Sequence, residues 1–121
     1  MCELLGERTA FKAFPAEYSD AMDTLRAIGA GFGLEVQEAG VDKTGIAFRS
    51  DHFPFAARGV VAMSIGMTGA YRELTEEQVE VRKAAIGTTY HQPSDEVHPL
   101  WDYGGALQEL ELLWAIGRHF S

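Results

Sequence analysis

Alternating small and aromatic residues in "RTAFKAF" (8–14) predict a strand ended by Pro15. The pattern then changes. Ala21, Leu25, Ile28 and Phe32 recur at helical spacing and make one apolar face. Ser19 is the expected N-cap of this helix, Asp20 and Asp23 fall in its first turn, where the helix dipole favours acids, and Gly31 and Gly33 are stop signals. "LEVQEA" (34–39) alternates again and predicts a short strand. Residues 40–49 are turn-rich, and "HFPFAARG" (52–59) predicts a short helix or turn closed by Gly59. "VVAMSIG" (60–66) is apolar without alternation, the pattern of a strand buried on both faces, and "MTGAYREL" (67–74) is expected to be loop. Thr75 and Gln78 fit a capping box that opens a helix through Ile86. A last helix follows Asp102 as its cap. Ala106, Leu110, Leu113 and Gly117 share one face of it, Leu107 and Trp114 broaden that face, and Trp101 and Trp114 are expected to be packing residues. Helices alternating with short strands predict an α/β domain, with helices packed on a mainly parallel sheet.

The 121 residues are enough for one domain with a real core, and 46% hydrophobic with 23% charged residues is an ordinary globular composition. The net charge of −8 argues against nucleic acid or an anionic membrane surface as the main partner, and is compatible with a cationic ligand or a bound metal. Cys2 is the single cysteine, so no internal disulfide forms. No apolar run approaches the roughly 20 residues that span a bilayer. "MCELLGERTAF" carries Glu3 and Glu7 and no long apolar stretch, so it does not read as a signal peptide; a soluble chain is expected, with the compartment left open.

Two segments concentrate chemistry. "TTYHQPSDE" (88–96) sets His91 four residues ahead of Asp95. A metal-binding imidazole commonly needs a carboxylate to fix its ring, and Asp95 could supply one, with Pro93 stiffening the turn between them. The same residues read equally as a plain turn. "SDHFPF" (50–55) sets Asp51 and His52 ahead of Phe53 and Phe55. Asp51 either caps a helical turn or stands at a pocket edge with the two Phe rings as an apolar wall. His98, His119 and the acidic run Glu73, Glu76, Glu77 and Glu80 read as surface positions, and Met63 and Met67 as core or pocket lining.

Three segments in order, "RSDHFPFAARGVVAMSIG" (49–66), "YHQPSDEV" (90–97) and "WDYGGALQELELLWAIGRHF" (101–120), resemble the C-terminal portion of the zinc-dependent aminopeptidases of peptidase family M28. The resemblance is weaker over residues 1–44. It implies a partial version of a three-layer αβα fold around a mixed sheet, the phosphorylase/hydrolase-like architecture. It also implies removal of N-terminal amino acids from peptides by two zinc ions bridged by a carboxylate and a water. On this resemblance His91 is a zinc ligand, Asp95 the carboxylate behind it, and Tyr90, Asp51, His52 and Phe53 line the substrate site. Residues 50–55 and 88–95 are then expected to meet at one end of the sheet.

The family's centre also needs an earlier His, a bridging Asp, a Glu–Glu pair whose first member is the general base, and a further Asp. None has a match in these 121 residues, and Met1 aligns with the Met directly after the family's last zinc Asp. The chain alone is therefore expected to bind zinc weakly or not at all and to be inactive. Two other readings stay open: a non-catalytic interaction module on the same scaffold, and an acyl-transfer fragment similar to the glutaminyl cyclases, which share an Asp–His segment and an aromatic–His ligand. Tyr90 rather than Trp before His91 leans towards the peptidase. A sheet deprived of strands leaves an unpaired edge or bare apolar face, so a homo-oligomer is expected, most simply a twofold dimer.

Overall fold

The computed structural model describes residues 4–14, 20–38, 40, 43, 45–60, 62–87, 89 and 92–121. Among these residues three strands form one sheet: β1 (Arg8–Phe14), β2 (Glu35–Gln37) and β3 (Ser64–Tyr71), in the order β2-β1-β3. β1 is central. It pairs parallel with β2, Phe11 opposite Val36, and antiparallel with β3, Phe11 opposite Met67. Among the described residues the α-helices are α1 (Ala21–Gly31), α2 (Phe53–Ala56), α3 (Glu76–Ile86) and α4 (Gly104–Phe120). This is the expected α/β fold with a small mixed sheet, consistent with part of the larger three-layer architecture.

The core lies between the sheet and the pair α1 and α4. Phe11 and Ala13 point from β1 to the same side, as the period of a strand requires, and meet Ala21 and Leu25 of α1, Leu34, and Leu112 and Ile116 of α4. Met63 and Met67, read from the sequence as core or pocket lining, pack on this cluster, and so does Ile65. α1 ends in a Schellman motif. Gly33 adopts φ 64°, the Leu34 N–H donates to the Gly29 carbonyl at 2.9 Å, and the Gly33 N–H donates to the Ala30 carbonyl at 3.1 Å. At the start of α1 the N-cap position is Asp20, without a side-chain cap bond; the expected cap Ser19 lies outside the described residues. The capping box of α3 forms as expected: the Gln78 N–H donates to Thr75 Oγ1 at 3.3 Å, and the Thr75 N–H donates to Gln78 Oε1 at 2.9 Å. The N-cap position of α4 is Tyr103, without a side-chain cap bond; the expected cap, Asp102, stands one residue earlier and accepts from the Gly104 N–H at 2.8 Å.

Two expectations fail. The third strand is not 60–66 but 64–71, so most of the segment expected to be loop is strand. The pairing with β1 explains it. Between Arg8 and Ala10 the register slips, and Gly69 and Ala70 together oppose Thr9. Gly69 sits in this bulge at φ 77°, and the Ala70 N–H donates to Thr9 Oγ1 at 3.0 Å. A glycine that reads locally as a turn is here the residue that lets the strand continue. Most of β3 is also only half-buried, not enclosed on both faces.

The second failure is the orientation of α4. Gly105, Gln108, Leu112 and Ile116 face the core, while Leu107, Leu110, Leu113 and Trp114 are exposed. Two contacts decide the rotation. A Cβ on Gly105 would overlap the Gly6 carbonyl oxygen, so only glycine allows this approach. Gln108, buried, uses its side-chain amide as a strand would use its backbone: the Arg8 N–H donates to Oε1 at 2.9 Å, and Nε2 donates to the Arg8 carbonyl at 3.1 Å.

Two substitutions test these devices. A Cβ at residue 69 would lie 2.6 Å from Thr9 Oγ1 on a backbone that already needs positive φ, so Gly69→Ala lowers stability by about 2 kcal/mol. Gln108→Leu keeps the volume but strips Arg8 of both bonds, and lowers stability by roughly 1–3 kcal/mol. Urea unfolding measures both; an unchanged midpoint in either variant contradicts the assigned role.

Candidate functional site

The parallel pairing of β1 and β2 puts Phe14 and Gln37 at one end of the sheet, and the antiparallel β3 enters at that same end, with Ser64 opposite Phe14. Ligands of open α/β sheets bind outside the carboxyl ends of strands. The 50–55 segment belongs to this end. His52, half-buried, stands edge-on to Phe14 with ring centroids 6.2 Å apart. It occupies the N-cap position of α2 without a side-chain cap bond, so the cap expected of Asp51 is not what opens this helix. Asp51 is exposed. Pro54 falls in the first turn of α2, where a missing N–H breaks no helical bond. Gly59, at φ 77°, closes the turn as expected.

Phe53 is half-buried and packs edge-on against Phe48, which precedes it in the 3₁₀ turn Ile46–Arg49, at a centroid distance of 5.1 Å. Phe55 is exposed. The apolar wall at this edge is therefore built from Phe48 and Phe53, with Phe14 behind His52. The sequence reading missed Phe14 and Phe48. Their spacing to residues 52 and 53 follows no helical or strand period, so only the tertiary turn pairs them.

The elements that flank the second segment are anchored at the amino end of β1, and the expected meeting of residues 50–55 with 88–95 at one end of the sheet is not shown among the described residues. Ile86, at the end of α3, packs against the small cluster of Leu5, Tyr71 and Val79, at the amino end of β1. Asp102 returns to that end, where its backbone bridges to Leu5 and its N–H donates to the Leu4 carbonyl at 2.7 Å. Between these anchors the Asp95 carboxylate accepts from the Thr89 hydroxyl at 3.0 Å. Thr89 is a further residue the sequence reading passed over. Tyr90 and His91 lie outside the described residues. His98 accepts at Nδ1 from the Leu100 N–H at 3.2 Å, a local turn bond, and His119 is exposed beside Phe120.

Among the described residues, no three His, Cys, Asp or Glu side chains gather closely enough to hold a metal ion. The described donors therefore do not by themselves fit a zinc centre, which needs three or four protein ligands. Among the same residues no helix is long and apolar enough to cross a membrane.

A helix-on-sheet α/β domain with an Asp–His loop at the carboxyl end of its central strand defines the class. Residues 1–114 match the protein-family model described as Peptidase family M28, and the chain belongs to that family. No curated protein and no solved structure matches it.

The edge contact of Phe48 with Phe53 makes a stability prediction. Aromatic pairs contribute about 1 kcal/mol beyond their buried area, so Phe53→Ala destabilises by roughly 1–2 kcal/mol. A double-mutant cycle with Phe48→Ala checks it. Strict additivity would mean that the two rings stand in the wall independently.

Proposed function

We propose that the chain supplies the substrate-facing side and one imidazole ligand of a zinc aminopeptidase centre, acting on the N-terminal residue of peptides. In this reading His91 is the zinc ligand. Asp95, steadied by the Thr89 hydroxyl, is the carboxylate that fixes the imidazole ring. Tyr90, Asp51, His52 and Phe53 receive the substrate: the Asp51 carboxylate attracts its α-ammonium group, and the Phe53 ring offers an apolar surface to its side chain. Zinc, when bound, would polarise the scissile carbonyl and acidify a water. The chain's own residues bind, orient and shield the peptide.

The observation that carries this reading is the family match across residues 1–114. The Asp51–His52 loop at the carboxyl end of β1 supports it, through the contact of His52 with Phe14. The 121 residues taken alone carry no counterpart of the family's general base, so by themselves they do not hydrolyse peptides. A second reading, an interaction module on the same scaffold, is favoured by the exposed apolar face of α4.

Metal analysis and activity on the purified chain test the proposal together. Zinc binds weakly and below stoichiometry, and His91→Ala removes what binding there is. Asp95→Asn weakens it by about tenfold. Release of N-terminal residues from peptides stays at background. Zinc binding unchanged by His91→Ala overturns the ligand assignment. Stoichiometric, tightly held zinc with aminopeptidase activity overturns the claim that the centre needs further residues.

A further inference from the structure

α4 carries a second apolar stripe, opposite the one that enters the core. Tyr103, Leu107, Leu110 and Trp114 follow one another at intervals of four, three and four residues, the spacing of a helix-packing seam. Leu107 is 61% exposed, Leu110 63% and Trp114 70%. Leu113 and Phe120, also exposed, widen the seam on one flank. Glu111 and Arg118, both exposed, line the other flank, seven residues apart. Gly117 continues the seam past Trp114, and a Cβ built there meets nothing within 4 Å. The stripe thus sets a large ring beside an open notch.

We propose that this face docks a second copy of the chain, with the two α4 helices antiparallel about a twofold axis. Charge selects the occupant and its direction. In an antiparallel pair the same flank of each helix faces its counterpart, so Glu111 of each copy meets Arg118 of the other, twice by symmetry. A parallel pair would set these charges against the apolar flank of Ala106, Leu113 and Phe120 and gain no ion pair. The offset that brings Glu111 beside Arg118 of the second copy sets Trp114 level with Ala115 of the second copy, so the two Trp114 rings meet near the twofold axis. A single helix stripe covers less than the roughly 800 Å² per copy of standard specific interfaces, so the dimer is weak and concentration-dependent.

Sedimentation of the 121-residue chain from micromolar to millimolar concentration tests this. A monomer–dimer equilibrium is expected. Trp114→Glu raises the dissociation constant by about tenfold or more, without changing the thermal unfolding of the monomer, because the ring lies outside the core. Glu111→Arg alone and Arg118→Glu alone each weaken the dimer, and the double reversal restores it. A strict monomer at every concentration overturns the proposal. So does a dimer indifferent to Trp114→Glu, which would point to sheet-edge pairing. A double reversal as weak as its single parents refutes the antiparallel register, even if Trp114→Glu should fail to fold.

Discussion

The burial of Phe11 is the constraint on which the rest of the domain depends. Its ring is fully enclosed, and β1, which carries it, is the only described strand with a neighbour on both sides. Enclosing such a ring contributes roughly 2–3 kcal/mol, but only if α1 comes close enough to cover it. Gly29 permits that approach: a Cβ there would lie 2.7 Å from the Phe11 ring and 3.0 Å from the Leu34 carbonyl oxygen. The helix is thereby held at a fixed distance over the strand, and Leu25 and Leu112 close the remaining space.

Once α1 is set, its C-terminus has to be satisfied, and this ties the sheet's amino end together. Arg72, just past β3, donates to the Phe32 carbonyl at 2.8 Å, to the Gly33 carbonyl at 3.0 Å, and through Nε to the Arg8 carbonyl at 3.1 Å. A cation at the last turn of a helix also opposes the negative end of its dipole. Its pair with Glu7, 3.6 Å apart and partly exposed, adds little by comparison. The Arg8 guanidinium in turn lies 4.0 Å over the Tyr71 ring. This end is the polar, interlocked one. The opposite end, where Phe14 meets His52, is left to an aromatic loop. In open α/β sheets ligands bind outside the carboxyl ends of strands, and here that end is the loop-built one.

The parts legible in the sequence are those decided within a few residues. The capping box of Thr75 and Gln78, the Gly33 stop and the small and aromatic residues of β1 ended by Pro15 are local devices, and each reads correctly. β3 is not local. Its apolar run stops at Gly66, and only pairing with β1 and the bulge at Gly69 carries the strand on to Tyr71. The same division holds at the candidate site. The Asp–His loop is recognisable from its own residues, whereas its supports, Phe14 and Phe48, come from elements whose approach no short pattern encodes. Asp95 stands out in the sequence, but its partner Thr89 emerges only when the turn between them closes.

α4 shows how a correct periodicity can still choose the wrong face. The helix has two apolar stripes, and the richer one, with three leucines and a tryptophan, is the natural candidate for the core. Its rotation is set instead by its least hydrophobic inward positions. Gly105 must touch the Gly6 carbonyl, and Gln108 must bond both backbone groups of Arg8. A bulky side chain in the first place would clash, and an apolar one in the second would orphan buried polar atoms. Steric fit and hydrogen-bond satisfaction outrank raw hydrophobicity when both cannot be met on one face. The richer stripe is then obliged to look outward, where apolar area beyond the needs of the core is stabilised only by another surface.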